Sequence, residues 1–212
     1  MKTSYFLILV LAVALVVLGV KCLDGNRQAS TGGTDTITMN NDFYSGILTR
    51  ASVRKYTSQE VTPGQVDSLL KAAMSAPTAV NKQPWQFVVV NERALLDSIA
   101  SKFPNIHMAA SAPLAVVVCG DLSLALEGEG EAYWIQDCSA ATENMLLAAH
   151  SMGLGAVWCG IYPIADRVKA LSDMLSLPEN IIPLCVVPIG YPEGEVHPKD
   201  KFTSGKVHYN KF

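Results

Sequence analysis

Charge of one sign is scarce in this chain. Lys and Arg number 16 against 19 Asp and Glu, a formal net charge of -3 over 212 residues. So mild a balance lacks the basic stripe that nucleic-acid binding requires, and it points to no nucleic-acid partner. Cysteines number 5, an odd count, and no Cys-x-x-Cys pair occurs, so neither a disulfide framework nor a zinc site is indicated. His107, His150, His197 and His208 show no metal-ligand spacing with one another or with acidic residues. No Gly-x-Ser-x-Gly elbow and no His-Glu-x-x-His helix is present, which leaves a hydrolase reading without support. Gly153-Leu154-Gly155 lacks the third glycine of a dinucleotide fingerprint, and a strand rather than a helix follows it. A helix stop explains it more cheaply. There is no internal repeat.

What is there starts with an apolar run, Tyr5–Val20, ended by Lys21, Cys22, Asp24 and Arg27. It lies between the usual lengths of a membrane helix and of a signal-peptide core, and both readings target a membrane. No polar face interrupts it, which argues against a buried core helix. Residues 1–25 are therefore a membrane anchor or signal segment, with the uncleaved anchor favoured. A lipid-attached Cys22 would want a small residue before it, and Lys21 stands there. Lys2 and the amino terminus favour an inside N-terminus and a domain outside the cytoplasm. Lys21 and Arg27 on the far side weaken that orientation and leave the cytoplasmic face open. No twin arginine marks the segment for export in the folded state.

Residues 26–41 are rich in Ser, Thr, Gly and Asn and read as a flexible linker. The domain proper is 42–212. Thr62-Pro63-Gly64-Gln65 has the capping-box pattern and opens a helix with Val66, Leu69, Leu70 and Ala73 on one stripe. Trp85–Val90, Leu114–Cys119, Ala156–Ile161 and Leu184–Ile189 read as buried strands. Between them lie a helix capped by Asn91, a long helix Tyr133–Met152 stopped by Gly153, and an amphipathic helix Ala165–Leu175. Cys119, Cys159 and Cys185 fall in the strands and Cys138 in the long helix; buried, inert thiols are the preferred reading. The alternation predicts helices covering a mixed sheet, and periodicity alone suggests a doubly wound one.

Two segments could carry chemistry. In Arg50-Ala51-Ser52-Val53-Arg54-Lys55-Tyr56, two guanidinium forks flank a hydroxyl, a set suited to phosphate oxygens. If the segment opens or ends a helix, the arginines share a face. From composition alone a solvated surface is the simpler reading. In Ala76-Pro77-Thr78-Ala79-Val80-Asn81-Lys82-Gln83-Pro84-Trp85, the amides of Asn81 and Gln83 could read a heterocycle, or could be ordinary turn chemistry. Glu127, Glu129 and Glu131 alternate with glycine and read as solvated charges.

Taken in order, these two segments, Asp137–Ala149, Gly153–Gly160, Pro188-Ile189-Gly190-Tyr191-Pro192 and the basic tail Pro198–Phe202 resemble the nitroreductase family. The resemblance runs from about Phe43 to Phe212. It implies an α+β, three-layer fold with a central mixed β-sheet flanked by helices, in an intertwined homodimer with FMN at the interface. It also implies an oxidoreductase that takes hydride from NADH or NADPH and reduces nitroaromatic, quinone or related acceptors in a ping-pong cycle. By position, Arg50, Ala51, Ser52 and Arg54 would hold the FMN phosphate and ribityl chain, joined by Lys199 and Lys201 from the tail. Pro77, Thr78, Asn81 and Gln83 would come from the loop near the partner subunit's flavin. The backbone of Val157, Trp158, Cys159 and Gly160 would face the ring. Tyr133 and Trp134 would line the acceptor pocket or simply pack at the helix start, packing being preferred for Trp134. No catalytic side chain is named.

The chain departs from the family pattern in three places. Lys201 stands where arginine is common, which keeps the charge but loses the fork. Thr78-Ala79 stand where serines are common. The connection from Cys119 to Tyr133 is short, which leaves little room for a lid and argues against a dehalogenase-like or flavin-destroying relative. The rival class is a membrane-tethered, flavin-binding electron carrier or sensor with little NAD(P)H turnover. A purely structural role would require a domain unable to take up FMN.

Overall fold

The computed structural model describes residues 42–212; the expected anchor, the linker and Cys22 lie outside them. The described residues start with α1 (Asp42–Thr49) and run extended to α2 (Pro63–Met74). Strand β1 (Trp85–Val90), α3 (Arg93–Lys102) and β2 (Leu114–Asp121) follow. The long α4 (Tyr133–Ser151) precedes β3 (Gly155–Ala156), β4 (Cys159–Gly160), α5 (Ala165–Leu175) and β5 (Ile181–Gly190). No helix among the described residues is long and apolar enough to cross a membrane.

The expected helices form where their stripes place them. Thr62 caps α2 through a complete capping box with Gln65. Leu69 and Ala73 are its buried residues. At α3 the cap position falls to Glu92 rather than the expected Asn91, and no side-chain cap bond forms. The short turn out of β1 uses Asn91 before the helix begins.

The strands run in the order β1-β2-β5-β3, with β4 also on β5, and all four of these ladders are antiparallel. The doubly wound, parallel arrangement that periodicity suggests is therefore not the one formed. A strand covered on both faces is apolar throughout whichever way its neighbours run, so hydrophobicity alone does not report direction. The parallel element of the sheet is the Ser52–Ala156 bridge.

Alternation along the strands separates two cores. Val116, Val118, Cys185 and Val187 face α2 and α4, meeting Leu69, Cys138 and Met145. Val117, Cys119 and Val186 face the other way, toward Ile99 of α3 and Leu171 of α5. The result is the expected three layers, helix-sheet-helix.

Two prolines shape β5. Pro183 sits where the β2–β5 register slips between Val118 and Cys119, as a residue without an N–H would require. β3 and β4 share one register on β5, with Ala156 opposite Ile189 and Cys159 opposite Val186. In that register Val157 falls opposite Pro188, which brings no N–H, and the ladder is interrupted at Val157 and Trp158. The single expected strand Ala156–Ile161 is thus two short pieces. Pro188 uses its carbonyl instead to accept the Tyr56 hydroxyl at 3.1 Å.

Cys119, Cys138, Cys159 and Cys185 are all buried and free. Burial pushes Cys119 and Cys185 up to about 12 and Cys138 higher still. Cys159 goes to about 11, burial outweighing the opposing charge of Arg54. The unfolded thiols ionise near 9. Folding thus favours the protonated thiols, and their contribution to stability, complete below pH 9, is lost as pH rises through 11–12. Denaturation midpoints should fall over that window, and alkylation of the four thiols by iodoacetamide should require unfolding. Rapid modification of any of these four in the native protein at pH 8 would contradict the burial.

Gly155 has no room for a side chain: a Cβ there would meet Val53 side-chain atoms at 2.6 Å. Gly155→Ala should destabilise by about 1–3 kcal/mol through overpacking. The double variant Gly155→Ala with Val53→Ala should recover part of the loss in a urea-denaturation cycle. Strict additivity of the two would mean that the contact does not carry the cost.

Candidate functional site

α1 ends at Thr49, where the Arg50 N–H donates to the Gly46 carbonyl at 3.0 Å. The chain then lies against the end of the sheet instead of extending the helix. The Val53 N–H donates to the Ala156 carbonyl at 3.0 Å, and Thr57 N–H to Tyr191 at 2.9 Å. Tyr56 forms an antiparallel bridge with Pro192, and the Glu193 N–H returns a bond to the Lys55 carbonyl. Val53 and Tyr56 are buried, and the Tyr56 hydroxyl donates to the Val53 carbonyl at 2.7 Å. Burial, followed by the nearby Cys159, pushes the Tyr56 phenol well above its ordinary range against the pull of Arg54. Tyr56 is thus a hydrogen-bonding strut. With Val53 turned inward, Ser52 and Arg54 on either side of it are left exposed by the period of an extended chain, not by the helical face considered from sequence.

The same bridge at Pro192 brings the tail back over this segment. Arg50, Ala51, Ser52 and Arg54 line a cavity of about 250 Å³ together with His197, Lys199 and Lys201. All six residues assigned to a phosphate by position thus share one cavity. No carboxylate lines it. Two arginines, two lysines and a serine line it, a set of donor types suited to a phosphate dianion. His197 was not singled out from sequence. Its alternation with Lys199 and Lys201 was the available signal, and it became readable only once the tail was known to be extended. His197 Nε2 lies 3.9 Å from Glu195 Oε2, and both residues line a neighbouring cavity of about 170 Å³ that shares Ala51, Ser52 and Arg54.

Arg50 differs from Arg54 in its surroundings. Its Nε lies 3.3 Å from Glu143 Oε1, and its side chain is mostly buried. Glu143 on α4 therefore holds one edge of the guanidinium, a partner that sequence separation concealed.

Val157–Gly160 adjoins the cavity through the Val53–Ala156 bond, and Arg54 is felt electrostatically at Cys159. Val157 and Cys159 point into the α3–α5 core, while Trp158 is half-buried against the other one. Gly160 is open where a Cβ would stand.

The loop Pro77–Gln83 does not line the cationic cavity. Val80, Asn81 and Gln83 all have positive φ, at 51°, 56° and 51°. For a β-branched residue such as Val80 this is a strained conformation, costing about 1–3 kcal/mol. Gln83 is tied to this loop twice, N–H to Thr78 Oγ1 at 3.1 Å and Nε2 to Asn81 Oδ1 at 2.9 Å. Val80 is 81% exposed at the tip. A strained, polar, exposed loop of this kind is characteristic of a binding element.

Tyr133 is exposed at the start of α4, as an acceptor-facing residue would need to be. Trp134 is not: it is 4% exposed, its ring fills the space where a Gly120 Cβ would stand, and it meets Tyr162 edge-on at 5.0 Å. Trp134 packs in the core, the alternative preferred for it from the sequence, rather than facing an acceptor. Among the described residues no cluster of His, Cys, Asp and Glu could hold a metal ion.

The sequence profile of the Nitroreductase family matches residues 47–191. A protein of Methanothermobacter thermautotrophicus with the provisional name NADH dehydrogenase/NAD(P)H nitroreductase is 44% identical over 171 residues, covering 81% of this chain and 88% of its own. A crystal structure from Bacteroides thetaiotaomicron with the same provisional name is 46% identical at a TM-score of 0.77, covering 81% of this chain and 99% of its own. The structure of an FMN-dependent nitroreductase from Clostridium difficile is 30% identical at a TM-score of 0.71, over 79% and 99%. The family match spans most of the described residues, the relatives are covered over most of their length, and the chain belongs to the nitroreductase family.

Proposed function

We propose that this chain is an FMN-dependent oxidoreductase that takes hydride from NADH or NADPH and passes it to nitroaromatic, quinone or related acceptors in a ping-pong cycle. The observation that carries the reading is the cationic cavity lined by Arg50, Ser52, Arg54, Lys199 and Lys201 without a carboxylate. It fits the terminal phosphate of FMN in charge and in donor type. Bound there, flavin would supply the hydride-accepting chemistry that no side chain of the protein can. The chain's own part is to bind and orient. Arg54 and the two lysines neutralise the phosphate, and Ser52 offers a hydroxyl. The interrupted ladder at Val157 and Trp158 presents backbone beside the cradle. Tyr133 stands on the acceptor side. Relatives named for NAD(P)H and FMN support the choice of donor and cofactor.

The protein acts as a homodimer in which Pro77, Thr78, Asn81 and Gln83 serve the partner subunit's flavin. The support is an apolar face on α1 and α4. A groove of about 570 Å³ runs past Phe43, Ala72, Leu147 and Ala148, and Ile47 and Leu48 are exposed beside it. An apolar surface of this extent marks an interaction site. The apolar run Tyr5–Val20 supports a further element of the proposal, that the domain is held at a membrane, with Lys2 ahead of the run favouring the outer side and Lys21 and Arg27 behind it leaving the cytoplasmic face open.

Arg54→Ala and Lys201→Ala should each weaken FMN binding by about 10–100-fold, the worth of a charge-assisted hydrogen bond. Dialysis followed by absorbance at the flavin bands is the measurement; full retention by both variants would place the phosphate elsewhere. Bands that fail to bleach under anaerobic NADH and NADPH would remove the oxidoreductase reading. Leu48→Glu should shift the protein toward monomer in sedimentation velocity and release FMN with it. An unchanged dimer would move the interface to another face.

A further inference from the structure

A buried carboxylate outside the cationic cavity is left unexplained by the site as described. Asp137 on α4 is 6% exposed, at the edge of the core that contains Cys138. An acid in that position needs a partner. It has one in the Ala79 N–H, which donates to Asp137 Oδ1 at 2.9 Å. Ala79 opens the short turn Ala79–Asn81, and the three positive-φ residues follow directly. The other bonds of the loop are internal: Asn81 N–H to Thr78, Lys82 N–H to Ala79, and the two from Gln83. Internal bonds can hold the loop's shape but not its place.

A second tie leaves the same helix face. Asn144 lies seven residues on from Asp137, two turns of α4, and its Nδ2 donates to the Ala72 carbonyl at 3.1 Å. Asn144 therefore grips the end of α2, and Asp137 grips the loop that follows it. The segment between Ala72 and Ala79 is clamped at both ends to one helix. That helix is itself fixed to the sheet, where the Cys138 thiol donates to the Cys119 carbonyl at 3.4 Å. We infer that Asp137 is a positioning residue for the flavin-facing loop: its carboxylate holds Ala79 so that Thr78, Asn81 and Gln83 are set against α4 before any flavin arrives. This rests on the reading above for the loop's target, and on the geometry alone for the anchoring.

The test compares Asp137→Ala, Asp137→Asn and, as a control in the same helix, Thr142→Ala. Thr142 is buried and its hydroxyl bonds to the Cys138 carbonyl, away from the loop. Amide hydrogen exchange over Ala79–Gln83, the FMN dissociation constant, the visible spectrum of bound flavin and the Tm are measured for each. Asp137→Ala should speed exchange at Ala79 by about 10-fold or more and weaken FMN by a similar factor, with a shifted flavin spectrum. Asp137→Asn should recover most of both, because its amide oxygen can accept the same bond. Thr142→Ala should lower the Tm and leave loop exchange and flavin unchanged. Wild-type exchange and FMN binding in Asp137→Ala would overturn the inference. So would an equal loss of FMN in Thr142→Ala, since general destabilisation would then suffice. If the wild-type protein takes up no FMN, the cofactor reading fails, and exchange at Ala79 alone decides the anchoring.

Discussion

The site depends on the segment from Arg50 to Thr57 lying extended against the end of the sheet. Its hold is the bond from the Val53 N–H to the Ala156 carbonyl, backed by the buried Val53 side chain over Gly155. Without that contact Ser52 and Arg54 would have no fixed direction, and the tail would have no edge to return to at Pro192. Tyr56 completes the attachment by bonding both the Val53 and Pro188 carbonyls from a buried position. The one missing side chain at Gly155 is thus what lets a basic segment sit close enough to the sheet to form a cradle with Lys199 and Lys201.

Electrostatics then follows from placement. This chain is mildly acidic overall, yet four cationic side chains line one cavity with no carboxylate among its lining residues. Concentrating like charge has a cost, and the structure offsets part of it at Arg50, whose guanidinium is paired with Glu143 on α4. The remaining charge calls for an anion. The same helix supplies Asp137 to the loop and Asn144 to α2, so α4 braces the cradle on one side and the strained loop on the other. Strain at Val80, Asn81 and Gln83 is sustained because this rigid neighbour leaves the loop little choice.

Much of this was legible in the sequence. The capping box at Thr62, the buried strands and the core stripe of α4 are short-range patterns, and local periodicity reports them faithfully. The residue types at Arg50, Ser52 and Arg54 suited a phosphate but equally a solvated surface, and only the family resemblance joined Lys199 and Lys201 to them. Less legible were features set by pairing. Pro188 breaks the expected Ala156–Ile161 strand only because the register sets it opposite Val157. Trp134 packs, as preferred from the sequence, but no local pattern says that its ring lies over Gly120. The roles of Asp137, Glu143 and His197 were not readable because each acquires its meaning from neighbours that folding supplies.

By itself, then, the sequence determined which segments are helical or extended, which faces are apolar, and which charges are available to a ligand. Those properties depend on side-chain type and on periods of a few residues, which survive in an unfolded chain. Tertiary structure alone decided that the strands run antiparallel, that two distant basic segments share one cavity, and that a buried acid reaches an exposed loop. Such choices rest on long-range backbone pairing and on close packing, where a single absent N–H or Cβ decides which surfaces can meet.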